Sequence, residues 1–180
     1  MTQKYSTFLI DPPWPEIGGG KYKRGADRHY STLKVNQIVP TIKSSNLLNP
    51  EDNAHLYLWT TSTYLPDALN IIKELGFIYK TNIVWAKKKF GIGRYFRGKH
   101  ETCLFAVRGR GWAVRSKHND IPSLIEADHV RVDGKIRHSA KPLEFYELIE
   151  KRSVGPYIEF FARNTRKNWT SWGNEIQSAP

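Results

Sequence analysis

Residues 54–86 read AHLYLWTTSTYLPDALNIIKELGFIYKTNIVWA. Ala54 to Thr60 is a short run of aromatic and apolar residues, the composition of a strand. Ser62 or Thr63 can cap a helix after it, and Pro66 suits that helix's first turn. Leu69, Ile72 and Leu75 recur at helical spacing as one apolar face, and Gly76 ends the helix. Phe77 to Ala86 then returns as a second strand. Strand, helix, strand in this order predicts a right-handed crossover between parallel strands.

The same alternation extends outward. Thr7 to Ile10 is a short apolar strand, and Glu101 to Arg108 (ETCLFAVR) is another. Val35 to Ser44 is a helix candidate interrupted by Pro40. Pro142 to Lys151 reads as a helix with an apolar face of Leu143, Tyr146 and Ile149. Gly155-Pro156 turns the chain into Tyr157 to Ala162, whose near-continuous apolar run predicts burial on both faces. Residues 109–137 read as irregular, and Trp169 and Trp172 as packing residues. The pattern predicts one α/β domain over residues 1–180, with a mainly parallel central sheet flanked by helices. Ligands of such sheets bind beyond the carboxyl ends of the strands, where Asp11, Lys87 and Arg163 fall.

A formal charge of +11 and a pI near 9.8 point to a polyanionic partner. The cations gather in two loops. Residues 15–31 carry Lys21, Lys23, Arg24 and Arg28 with Tyr22, Tyr30 and three glycines whose spacing is not that of a dinucleotide phosphate cradle. Residues 87–100 interleave Lys87, Lys88, Arg94, Arg97 and Lys99 with Phe90, Tyr95 and Phe96, a mixture suited to phosphate contact and base stacking. No apolar run approaches a membrane span, and no signal peptide opens the sequence. The single cysteine, Cys103, excludes an internal disulfide and reads as a small core residue. An intracellular, cytoplasmic setting is expected. The six histidines show no ligand spacing, and no metal is expected.

Asp11-Pro12-Pro13-Trp14 follows the first strand. The two prolines lock φ and restrict the residue before each of them, so the direction of the Pro12 carbonyl is pre-set. A carboxylate and a fixed carbonyl can accept hydrogen bonds from the two N–H groups of an exocyclic adenine amine. That draws its lone pair out of the ring and aims it at a methyl donor. Trp14 offers an aromatic face on which an extruded base can stack.

Four segments in order carry a resemblance: Asp11 to Trp14, Leu58-Trp59-Thr60-Thr61, Val84-Trp85-Ala86-Lys87, and the stretch from Ser139-Ala140-Lys141-Pro142 to Asn174-Glu175. The last includes Glu144, Tyr146, Ile149-Glu150, Glu159-Phe160-Phe161-Ala162-Arg163 and Asn168-Trp169. Together they resemble the DPPW-type N6-adenine methyltransferases, which include the catalytic subunit of the eukaryotic mRNA adenosine methyltransferase and many phage and bacterial members. The resemblance implies a Rossmann-like fold with permuted motif order and S-adenosylmethionine as donor. It implies that Asp11, Pro12, Pro13 and Trp14 are catalytic, and that Asp11 also meets the donor's amino group. It implies that Lys141 meets the donor carboxylate, Arg163 lies beside the donor ribose, and Asn174 and Glu175 contact its adenosine part. The acidic donor-adenine contact that larger members carry upstream has no counterpart in the ten residues before Asp11. DNA is the expected substrate of so short a chain, in a bacterium or phage-infected cell. RNA methylation and a catalytically silent nucleic-acid-binding subunit are the alternatives. A homodimer or a related partner subunit fits so small an enzyme.

Overall fold

The computed structural model describes residues 3–15, 32–91, 95–132, 135–136, 140–174 and 176. In chain order the elements are β1 (Tyr5–Ile10), α1 (Val35–Ser44), β2 (Pro50–Thr60), α2 (Leu65–Glu74), β3 (Ile78–Ala86), β4 (His100–Arg108), β5 (Leu124–Glu126), β6 (Arg131–Val132), β7 (Lys135–Ile136), α3 (Leu143–Arg152), β8 (Tyr157–Phe160) and β9 (Trp169–Trp172). Seven strands form one sheet in the order β5-β3-β4-β2-β1-β8-β9, and β6 with β7 makes a separate two-stranded antiparallel pair. β4 is antiparallel to both of its neighbours, β2 and β3, while the other pairings of the large sheet are parallel. The mainly parallel sheet expected from the alternation of strands and helices, and the Rossmann-like fold implied by the resemblance, are thus present. The two strands of that unit do point the same way, but β4 is inserted between them.

Strand alternation divides the core into two layers. Phe8, Ile10, Leu56, Leu58, Ile158 and Phe160 face α1 and α2, which contribute Ile38, Val39, Ile42, Ile71 and Ile72. Leu9, Tyr57, Trp59, Trp85 and Cys103 face α3, which contributes Phe145, Leu148 and Ile149. β1 lies between β2 and β8 and is buried along its whole length, as an apolar strand with parallel neighbours on both sides should be.

The helix faces correct two expectations. In α2 the core side is Ala68, Ile71 and Ile72, continued by the C-cap Leu75, and Leu69 is 38% exposed. In α3 it is Phe145, Leu148 and Ile149, and Leu143 is 55% exposed. Each helix carries more apolar residues than one stripe can hold, so spacing alone leaves the stripe's rotation open. Pro40 lies inside α1 on its exposed side, where the lost N–H bond is tolerated. The sequence marks β9 only by its two packing tryptophans. Its sequence, WTSW, lacks an apolar run, and it is a strand because it pairs with β8 and because Trp169 stacks on Tyr157 at 4.8 Å.

Candidate active site

The chain leaves β1 toward β2 on one side and meets β8 on the other, so the carboxyl end of β1 is a topological switch point. Asp11 stands there. Lys87 follows β3 on the same edge, and Phe161 to Arg163 follow β8. Because β4 runs backwards, its first residues also reach this edge. Register pairs Glu101 with Trp85, which brings its carboxylate beside Lys87.

The Asp-Pro-Pro-Trp turn is anchored from below. The Trp14 N–H donates to the Pro12 carbonyl at 2.8 Å, and the Leu33 N–H donates to the Pro13 carbonyl at 2.9 Å. Trp14 itself is only 5% exposed. It stacks on Tyr64 at 5.2 Å with an interplanar angle of 8°, and its indole N–H donates to the Trp59 carbonyl at 3.0 Å. The free aromatic platform expected for Trp14 is therefore corrected: its ring is a plug that fixes the direction of the turn. The Pro12 carbonyl keeps a second lone pair for an incoming donor.

Lys141 is the centre of the charge arrangement. It lies just ahead of α3, whose N-cap is Pro142, and a residue before proline is disfavoured from helical backbone. Its Nζ donates to Asp11 Oδ2 at 2.7 Å, lies 3.6 Å from Glu101 Oε2, and sits 5.1 Å from the centre of the Trp59 ring. Glu101 also bonds Lys87, so the order Asp11, Lys141, Glu101, Lys87 alternates in charge across the strand ends. Burial alone pushes the Glu101 carboxyl upward, but Lys141 and Lys87 together bring it below its ordinary value. Burial works against the Lys141 ammonium, and Asp11 and Glu101 reverse that, so it stays charged.

Beside this row is a cavity of about 240 Å³ lined by Asp11, Lys141, Tyr146, Glu159, Phe161 and Arg163, with neighbours from 130 to 166. Phe161 has φ +62, a left-handed conformation that costs a bulky residue about 1–2 kcal/mol and turns the chain sharply out of β8. Tyr146 donates to Glu159 Oε1 at 2.9 Å. Burial, with the charge of Asp11 adding to it, raises the Glu159 carboxyl to about 7. The indole nitrogen of Trp59 and the hydroxyl of Thr61 are buried near this edge without hydrogen-bond partners among the described residues. Two carboxyls, Asp11 and Glu159, one buried ammonium and two arginines, Arg163 and Arg166, line it, a mixed set that suits a small zwitterion. The volume is below that of a drug-sized ligand, so it matches the charged end of a larger molecule.

Asp11, Lys141 and Arg163 are thus brought together. Asn174 is exposed and stands apart from the cavity lining, while Glu175, Lys21, Lys23, Arg24, Arg28 and Arg94 lie outside the described residues. Lys87 is held by Glu101, and Lys88 pairs with Asp128. Tyr95 is 95% exposed and Phe96 nearly so, while Arg97 donates to the Gly91 carbonyl and Lys99 lies over Phe90. Sequence reasoning missed Glu101 and gave Glu159 no role in the site. Glu101 opens an apolar strand, and only the antiparallel register reveals its lysine partners.

The sequence pattern of the MT-A70 family matches residues 5–175. The chain belongs to the MT-A70 family. A type II methyltransferase of a Mycoplasma species, M.MunI, is 29% identical and aligns with 97% of this chain and 78% of its own length. The human N(6)-adenine-specific methyltransferase METTL4 is 26% identical over 96% of this chain and 37% of its own length, and the mouse protein is 24% identical with the same coverage. The chain thus spans just over a third of the METTL4 proteins. No helix among the described residues of this MT-A70 methyltransferase is long and apolar enough to cross a membrane.

Glu159 holds its proton more tightly folded than unfolded, so its contribution to stability is complete below pH 4.5 and is lost as pH rises through 7. The span corresponds to about 3 kcal/mol. His55 does the reverse. Burial lowers it to about 4, so stability rises with pH between 4 and 6.5 by about as much. The two slopes oppose one another in the wild type. Glu159→Gln, which can still accept from Tyr146, leaves the His55 slope uncompensated. Urea titrations should show E159Q gaining on the wild type as pH rises from 4.5 to 8. A constant difference across that range would mean that Glu159 does not titrate there.

Proposed function

We propose that this MT-A70 protein transfers the methyl group of S-adenosylmethionine to the N6 amine of adenine in DNA. The observation that carries the reading is Asp11 at the switch point, paired at 2.7 Å with a buried lysine and opening into a charged cavity. The adenine specificity of METTL4 and the type II class of M.MunI support it. The residues present fit the donor. Lys141 suits its carboxylate, Asp11 its ammonium, and the carboxyls of Asp11 and Glu159 favour positive charge nearby; bound there, the donor supplies an electrophilic methyl group. Asp11 and the Pro12 carbonyl accept the two N–H bonds of the adenine amine and orient its lone pair. The negative field of the same carboxylate stabilises the charge that develops on nitrogen, and Asp11 or water then takes the proton. With Trp14 buried, stacking of the flipped base falls to another surface. The exposed Tyr95, Phe96 and Phe90, among Lys88, Arg97 and Lys99, suit contact with the strand. A homodimer or related subunit would extend so small an interface.

The test is methyl transfer from labelled donor to matched single- and double-stranded DNA and RNA, with nucleoside analysis of the products. N6-methyldeoxyadenosine is expected. Product from RNA alone would keep the chemistry and overturn the substrate. Lack of transfer and of donor binding together would favour a silent nucleic-acid-binding subunit.

A further inference from the structure

A second and larger cavity, of about 660 Å³, lies toward the other end of the sheet. Its floor is the α3-facing side of β2, β4 and β3, with His55, Tyr57, Phe105, Val107 and Ile83. Its walls are Leu148 and Arg152 of α3 and the segment from Gly109 to Ser123, including Trp112 and Ile121. It shares no lining residue with the donor cavity. Its volume lies within the range of small-molecule sites.

The polar atoms of the floor are already satisfied. His55 Nε2 lies 2.7 Å from the Gly111 carbonyl, which can only accept, so Nε2 carries the proton. Nδ1 therefore accepts from the Ser153 hydroxyl at 2.7 Å, and Ser153 accepts from Tyr57 at 2.7 Å. Burial keeps His55 neutral near pH 7. A ligand thus meets an apolar, uncharged floor. The charges are at the sides: Lys80, Arg110, Arg115 and Arg152 line the cavity, and no Asp or Glu does. None of the four forms an ion pair among the described residues. Trp112 is 69% exposed on the wall, a large apolar side chain without cover. Apolar floor, aromatic wall and unneutralised cations together select one ligand chemistry.

We propose that this cavity binds a small amphipathic organic anion, an aromatic or branched aliphatic body carrying a carboxylate or another acidic group. The body lies on Phe105, Ile83 and Leu148, and the acid group meets Arg110, Arg115 or Arg152 in the fork geometry that guanidinium offers carboxylates. The proposal does not depend on the methyl donor or on adenine.

Isothermal titration of the full chain with 2-naphthoate tests it. A dissociation constant of about 0.1 mM or below is expected, with 2-naphthalenemethanol at least about tenfold weaker. Arg110→Glu with Arg115→Glu, both exposed and free of ion pairs, should weaken naphthoate at least about tenfold without unfolding the protein. Val107→Trp, which fills the cavity, should remove binding, and a matching melting profile would show that it folds. Asp11→Ala should leave naphthoate binding intact, which separates this site from the donor site. Absence of heat at 1 mM naphthoate, or equal affinity for acid and alcohol, or unchanged affinity in the charge-reversed variant, would overturn the proposal.

Discussion

Replacing Asp11 by Ala is expected to lower methyl transfer by at least about a thousandfold while the fold persists. The substitution removes the acceptor that orients the amine and the negative charge that stabilises nitrogen as it becomes cationic. It also takes from Lys141 its partner at 2.7 Å. Lys141 is not abandoned, because Glu101 Oε2 lies 3.6 Å away. The turn survives too, since Trp14, Tyr64 and the Trp59 carbonyl hold it without the Asp11 side chain. Circular dichroism should therefore be unchanged, and nucleic-acid binding should remain. Donor affinity should fall as well, because the same carboxylate suits the donor's ammonium. Retention of more than about a tenth of wild-type transfer would falsify the role given to Asp11.

Lys141→Met is expected to cost about 3–5 kcal/mol of stability near neutral pH, the usual effect of removing one member of a buried ion pair. The Lys141 side chain is 7% exposed and stands between two carboxylates. Methionine fills much of the same volume over the Trp59 ring but offers no charge. Glu101 keeps Lys87, whereas Asp11 loses the one ion pair described for it. The sign with pH follows from Glu101. Its carboxyl is held below the ordinary value in the wild type, so that stabilisation is present above pH 4.5 and disappears as pH falls through the lower folded value. The deficit of K141M should therefore hold from pH 8 to about pH 5 and shrink as pH falls below 4.5 toward 3. Urea titrations across that range decide it. A pH-independent deficit would assign the loss to packing. Donor binding should also fall about tenfold or more in K141M, with the donor carboxylate left unpaired.

The sequence and the structure agree most closely where local chemistry is decisive. Residues 54–86 needed only composition, a proline in a first turn and a terminal glycine to be read as strand, helix and strand. Gly76 is found at φ +81, the conformation expected of a glycine that ends a helix. Thr7 to Ile10 was legible as a buried strand because it is apolar at every position except Thr7, whose hydroxyl is satisfied by the Val154 carbonyl at 2.7 Å. Asp11 was legible because Pro12 and Pro13 restrict the backbone beside it, whereas Lys141 was legible only through the family resemblance.

What was hidden depended on neighbours far along the chain. WTSW has no strand signal until β8 lies beside it. The sides of α2 and α3 that face the core depend on how each helix is rotated against the sheet. Trp14 looked like an open aromatic face because nothing local says that Tyr64 and Trp59 will enclose it. Glu101 and Glu159 became part of the site only through the reversed course of β4 and the approach of Tyr146.

The amino-acid sequence by itself determined the alternation of strands and helices, the strand end that carries the chemistry, the basic character and the family. The family follows from its ordered motifs, and the rest from dihedral restriction, side-chain periodicity and charge, which act within a few residues. Tertiary structure alone decided the insertion of β4, the row of alternating charges, the burial of Trp14 and the two cavities. Each arises from groups far apart in the chain whose contact depends on pairing register and packing, and those are settled only when the whole sheet closes on its helices.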